Sequence, residues 1–207
     1  MYSVSRLLFL LVLLLVPAAA KAADTDIYVE KGATQEETNK SIVTQLIAIS
    51  YPAQIAGFSK TSMVKYKSDL SDYSAEYRFN AGDAIIHNSF YVYDRSPNEN
   101  QAEHYNKVKS DVFAVKPNTV LISEDKLEIV KKDKKFVFSK AMFKIVAEFE
   151  GKEQELYSEL YLTVDEGKYI FLRSTTTYAN KDLAQKKNLE FLNEIKWTLA
   201  DLNIVLK

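Results

Sequence analysis

The chain has two histidines, no cysteine and five widely separated glycines, and these counts decide most of the chemistry open to it. General acid–base and zinc sites are usually built on a histidine within a cluster of other polar groups. His87 stands beside Asn88 and Ser89 in a strand-like run, where a half-exposed, hydrogen-bonded imidazole is the plain expectation. His104 follows Glu103 on a helical run, with Glu99 one turn earlier. Glu99 and Glu103 share a helix face at i, i+4 and would suit a divalent cation in principle. That face lies opposite Tyr105, Val108 and Val112, so it reads as the hydrated side of an amphipathic helix.

Covalent chemistry finds no better footing. Without cysteine there is no thiolate, and no serine stands in the G-x-S-x-G elbow that exposes a nucleophile. Gly32, Gly57, Gly82, Gly151 and Gly167 lie too far apart to cradle a phosphate. Acidic residues are plentiful, but none are paired in a way that marks a glycosidase-type site. Asn39-Lys40-Ser41 matches a glycosylation sequon but falls on a predicted helix. The run Lys131-Lys132-Asp133-Lys134-Lys135 reads as a solvated turn; a patch for anionic lipid or polysaccharide is the sharper alternative. No catalytic residue, cofactor or metal is therefore expected.

The composition departs from the ordinary in its aromatics: 13 tyrosines and 11 phenylalanines. Nine tyrosines fall in predicted strands, where cross-strand pairing is their usual use. The functional alternative is an aromatic surface or cleft, because tyrosine offers a large apolar face with a polar tip. Tyr77, His87, Tyr91, Tyr93, Tyr157 and Tyr161 form the candidate binding surface on that reading.

Positioning these residues requires a folded, exported domain. Arg6, the ten apolar residues at 7–16, Pro17 and Ala20-Lys21-Ala22 have the three parts of a secretory signal peptide. A membrane span needs about 20 apolar residues, so residues 1–22 are expected to be cleaved, with no cysteine behind them for lipid attachment. The remaining chain, 23–207, is expected to be one soluble periplasmic or secreted domain with no membrane span. Losing Arg6 and Lys21 takes the formal charge from −1 to −3, which argues against a nucleic-acid partner. With no disulfide possible, an apolar core must supply the stability.

The middle of the chain sets the architecture. Residues 134–149, 154–164 and 168–178 read as three antiparallel strands joined at Glu150-Gly151 and Glu166-Gly167. In the second of them Leu156, Ser158, Leu160, Leu162 and Val164 alternate with Tyr157, Glu159, Tyr161 and Thr163, which predicts one face on the core and the other partly in water. A second meander is predicted over 58–67, 73–80 and 84–94, and one bent strand or strand pair over 120–130. Helices are predicted from Thr34 to Pro52, from an N-cap at Ser96 to Pro117, and from an N-cap at Asn180 to about Leu199. Residues 27–29 read as an edge strand or a disordered lead-in, and 202–206 as a short final strand. Runs of strands separated by helices predict an α+β fold: an antiparallel sheet of six to eight strands flanked by about three helices, an α-β-α sandwich.

The run from Tyr51-Pro52 to Gly57-Phe58, then Tyr73 and Tyr77, then Tyr91-Val92-Tyr93-Asp94, resembles a family of uncharacterised exported proteobacterial proteins. More loosely, 23–207 resembles the PsbP-like and DcrB-like fold. That resemblance implies an accessory or binding protein without catalytic residues, and transfers no site residue. The expected function is thus a non-catalytic periplasmic domain contacting another envelope protein through a sheet face or loop. One alternative is a carrier for a lipid or other apolar ligand, in a cavity lined by residues such as Phe90, Phe143, Leu160 and Phe191. Another is a hydrolase using scattered carboxylates with His87 or His104.

Overall fold

The computed structural model describes Thr34, residues 51–66 and residues 72–197. Residues 53–195 form one compact unit that holds every strand and helix discussed below. The expected signal peptide, the expected strands at 27–29 and 202–206 and the expected helix after Thr34 fall outside the described residues.

Eight strands make one antiparallel sheet: β1 (Gln54–Ile55), β2 (Phe58–Lys65), β3 (Tyr73–Ala81), β4 (Ala84–Asp94), β5 (Val120–Lys131), β6 (Lys134–Phe149), β7 (Lys152–Asp165) and β8 (Lys168–Thr177). Their spatial order is β1-β2-β3-β4-β8-β7-β6-β5, so two hairpin meanders join where β4 pairs with β8. Helix α1 (Gln101–Val115) connects β4 to the far edge strand β5, and α2 (Lys181–Glu194) follows β8. The tight turns fit their residues: Glu150-Gly151 and Glu166-Gly167 each put two successive residues at positive φ, the backbone that matches a hairpin's twist.

The expected α-β-α sandwich with about three helices is not what forms. The described chain is 57% strand and 23% helix, so it is mostly β, with two α-helices among the described residues against a single large sheet. Strand length is the physical reason: β6 runs 16 residues and β7 14, so the sheet outweighs what one helix per face can cover. Residues 120–130 form one strand, with its irregularity between Leu121 and Ser123. The last helix stops at Glu194, because Ile195 turns extended.

A second correction concerns β7. It is buried on both faces from Leu156 to Thr163 instead of wetting one of them. Its even positions pack into a core with Tyr105, Val112 and the partly buried Val108 and Phe113 of α1. Its odd positions lie under α2, where Gln185 bonds to Tyr157 and Asn188 to Glu159. Phe191 of α2 meets the rings of Phe58, Tyr77 and Phe90 from β2, β3 and β4. At the opposite edge, Lys131 at the end of β5 bonds to the carbonyl of Ile195. Strands from both ends of the sheet order thus reach the same helix, so the sheet curls around α2.

The start of α1 also differs from expectation. Asn100, not Ser96, is the N-cap: its side chain accepts from the Glu103 amide while Glu103 accepts from the Asn100 amide, both at 2.9 Å. This reciprocal box satisfies two otherwise orphaned amides and occupies Glu103. Among the described residues no helix is long and apolar enough to cross a membrane.

Candidate functional site

Period-2 alternation assigns the six candidate residues to two faces. Tyr77, Tyr157 and Tyr161 point toward α2, and each is at most 2% exposed. Tyr157 donates to Glu159 Oε1 at 2.9 Å and accepts from Gln185 Nε2 at 2.7 Å. Lys140 lies over the Tyr161 ring and 2.8 Å from Glu159 Oε1, and Asn188 Nδ2 donates to Glu159 Oε2 at 2.7 Å. Glu159 is fully buried, so this network is a docking device that compensates a buried charge. The tyrosines beneath α2 present no surface. Burial raises the ionisation of Tyr77, Tyr157 and Tyr161 above the ordinary tyrosine range.

His87, Tyr91 and Tyr93 project to the other face, toward α1, but do not converge. His87 and Tyr93 are six residues apart on one strand, about 20 Å. At the Tyr93 end, Tyr93 Oη lies 2.6 Å from His104 Nε2, and His104 Nδ1 lies 2.7 Å from Glu99 Oε2. The imidazole also stacks on Tyr169 at 3.8 Å between centroids. A Tyr–His–Glu series has the connectivity of a nucleophile relay. Its environment is wrong for one: burial first, then the neighbouring Tyr169 and Glu99, raise the Tyr93 hydroxyl instead of activating it. The series clamps the start of α1 to β4 and β8. Glu99 and Glu103, one clamping and one capping, do not join in a metal site; among the described residues no His/Cys/Asp/Glu group could hold one.

The other end of the same face is open. A cleft of about 530 Å³ lies between the second half of α1 and strands β4, β6, β7 and β8. Val108, Val112 and Val115 form its roof, and Tyr91, Phe171, Ile145, Phe149 and Leu156 line its apolar walls. The gap exists because the sheet residues facing α1 there, Ala147 and Thr175, are small, while Val115 at the helix end remains 72% exposed. This volume falls within the usual range for small-molecule sites, roughly 300–1,000 Å³. His87 and Tyr91 contribute to it, with Tyr91 stacked on Phe171 at 5.3 Å. His87 Nε2 is 2.8 Å from Glu150 Oε1, an ion-pair contact off the ideal hydrogen-bond angle, and its ring packs on Phe149.

Arg173, which the sequence reading passed over, belongs to the cleft lining. It shares the α1 face of β8 with Tyr169, Phe171 and Thr175, and its guanidinium lies 5.8 Å from the centroid of the Phe143 ring. Nε donates to Ser158 Oγ at 2.8 Å. No carboxylate among the described residues pairs with it. The acid in the same cross-strand row, Glu76, is two strands away and accepts from Ser89 Oγ at 2.6 Å. Burial lowers Arg173 from the ordinary arginine value, although it stays a cation. The signal was present in Tyr169-Ile170-Phe171-Leu172-Arg173: strand alternation points a lone arginine inward with two aromatics.

The expected cavity residues Phe90, Phe143, Leu160 and Phe191 are fully buried in filled core. The lysine run turns between β5 and β6, with Lys134 engaging Asp165 and Lys135 engaging Glu128 at 2.6 Å. No family model matches the chain, and no curated protein matches it.

Proposed function

We propose that this chain is a non-catalytic envelope domain that binds a small apolar ligand in the cleft beneath the second half of α1. The observation that carries the reading is the cleft itself: about 530 Å³, with walls of valines, aromatics and small residues and charged side chains bordering them. An apolar ligand in that cleft would gain by displacing water from its apolar walls. Export through residues 1–22, expected from the sequence, would put such a domain where lipids and other apolar metabolites need carriers.

The test is titration of the full chain with a neutral amphipath, dodecanol, against a Val115→Glu variant. Val115 is exposed, so a charge there leaves the fold alone while spoiling the cleft roof. Saturable binding weakened several-fold by the variant is expected; no saturable binding, or binding indifferent to it, would sink the reading.

Contact with another envelope protein is a second reading, moved from a sheet face to the sheet edge. Both faces of β7 are covered, whereas β5 is an edge strand with Val120, Leu121, Ile122 and Val130 exposed. Edge strands recruit partner strands. Photo-crosslinkers at Ile122 in the intact envelope should capture one protein; a crosslinker at Glu155 serves as the control, and equal capture from both positions would reject the edge.

A further inference from the structure

Resting on the cleft as a binding site, we infer that its ligand carries an anionic head group, held by Arg173 at the cleft lining. Arg173 is half-buried against apolar neighbours, and an arginine so placed is normally fixed by a carboxylate, since partly desolvating a charge without compensation is costly. Here the guanidinium packs near an aromatic ring and gives one nitrogen to a serine hydroxyl, and no acid among the described residues lies within ion-pair distance. The planar fork keeps its terminal nitrogens for a carboxylate or phosphate, the groups that match its geometry.

The other charges bordering the cleft do not substitute for that partner. Asp111 and Glu148 are exposed, and His87 is engaged by Glu150. Lys116, exposed at the end of α1, adds a second cation on the rim. The arrangement is a cleft with apolar walls and the half-buried Arg173 guanidinium in its lining, which selects a single-chain amphipathic anion over a neutral or cationic amphipath of equal length.

The full chain is titrated calorimetrically with dodecanoate, dodecanol and dodecyltrimethylammonium, as wild type and as Arg173→Gln, Arg173→Lys and Val115→Glu. Dodecanoate is expected to bind wild type about tenfold or more tightly than dodecanol, from the charge-assisted contact. Arg173→Gln should remove that advantage, so that dodecanoate binds the variant no more tightly than dodecanol does, with Arg173→Lys falling between. Equal binding of dodecanoate and dodecanol to wild type would overturn the anionic head while leaving the cleft reading in place. Dodecanoate binding Arg173→Gln as tightly as wild type would also overturn it, by showing that the guanidinium is not the anchor. Failure of all three probes on wild type, or binding untouched by Val115→Glu, would overturn the cleft reading and this inference with it.

Discussion

Arg173 Nε donates to Ser158 Oγ at 2.8 Å across the β7–β8 pair, and Ser158 in turn donates to the Ser174 carbonyl at 2.8 Å. The serine is fully buried, so it anchors one end of the guanidinium to the sheet and fixes where the other end points. A residue kept for binding should cost the empty protein stability. Arg173→Met is accordingly expected to raise the unfolding free energy of the ligand-free chain by about 1 kcal/mol, because it exchanges a half-buried cation without a carboxylate partner for an apolar chain of similar reach. Urea unfolding of the two proteins checks it; a loss of stability would mean Arg173 is a packing residue of the core.

The buried charge on the other face predicts the opposite behaviour. Glu159 is fully buried, and Lys140, Asn188 and Tyr157 all bond to its oxygens. Lys140→Met strands that carboxylate, at a cost of about 3–5 kcal/mol. Adding Glu159→Gln should return most of the loss, since an amide needs no counter-ion. A double variant as unstable as Lys140→Met alone would show that lysine packing over Tyr161 is what matters.

Much of the sheet was legible, and the reasons are local. Glycines after Glu150 and Glu166 demand tight hairpins, and alternating runs between them fix both strands and register, so β6, β7 and β8 fall within a few residues of expectation. The burial of Tyr157 and Tyr161 was not legible, because alternation identifies two faces but not what covers each. That depends on α2 folding back, and its contacts with Glu159 and Asn88 run through Asn188, a polar residue that hydrophobic periodicity ignores. The α1 start was misplaced for a similar reason: Ser96-Pro97 and Asn100 both carry cap chemistry, and the Asn100–Glu103 reciprocity decides between them. Of the candidate surface, His87 and Tyr91 line the cleft, while Arg173 went unremarked because arginine in a strand reads as solvent-facing until its neighbours are known.

Phe191 holds the curled sheet to α2. Its ring meets Tyr77 at 5.1 Å and 72°, Phe58 at 5.4 Å and Phe90 at 5.9 Å, the edge-to-face geometry that aromatic quadrupoles prefer. Phe191→Ala should cost about 3–5 kcal/mol, from lost transfer energy plus a cavity the surrounding rings cannot close. Leu189→Ala, two residues earlier and 42% exposed, should stay within about 0.5 kcal/mol. Comparable losses from the two would deny that α2 is anchored through Phe191.

The clamp at the start of α1 sets an acid limit on the fold. Burial pushes the Glu99 carboxyl up, but the hydrogen bond and charge of His104, with help from Tyr169, outweigh it and hold Glu99 below the usual glutamate value. A carboxylate whose folded ionisation is depressed stabilises the native state above its unfolded pKa of about 4.3. That contribution is lost as pH falls through the lower folded value. Glu99→Gln keeps the side chain's shape and removes the titration. Thermal melts of wild type and variant should therefore differ at pH 7, keep that difference down to about pH 5, and converge below about pH 4. A gap that stays constant down to pH 3 would show that Glu99 acts through neutral hydrogen bonding to His104 and Tyr169 and that its charge contributes nothing to the clamp.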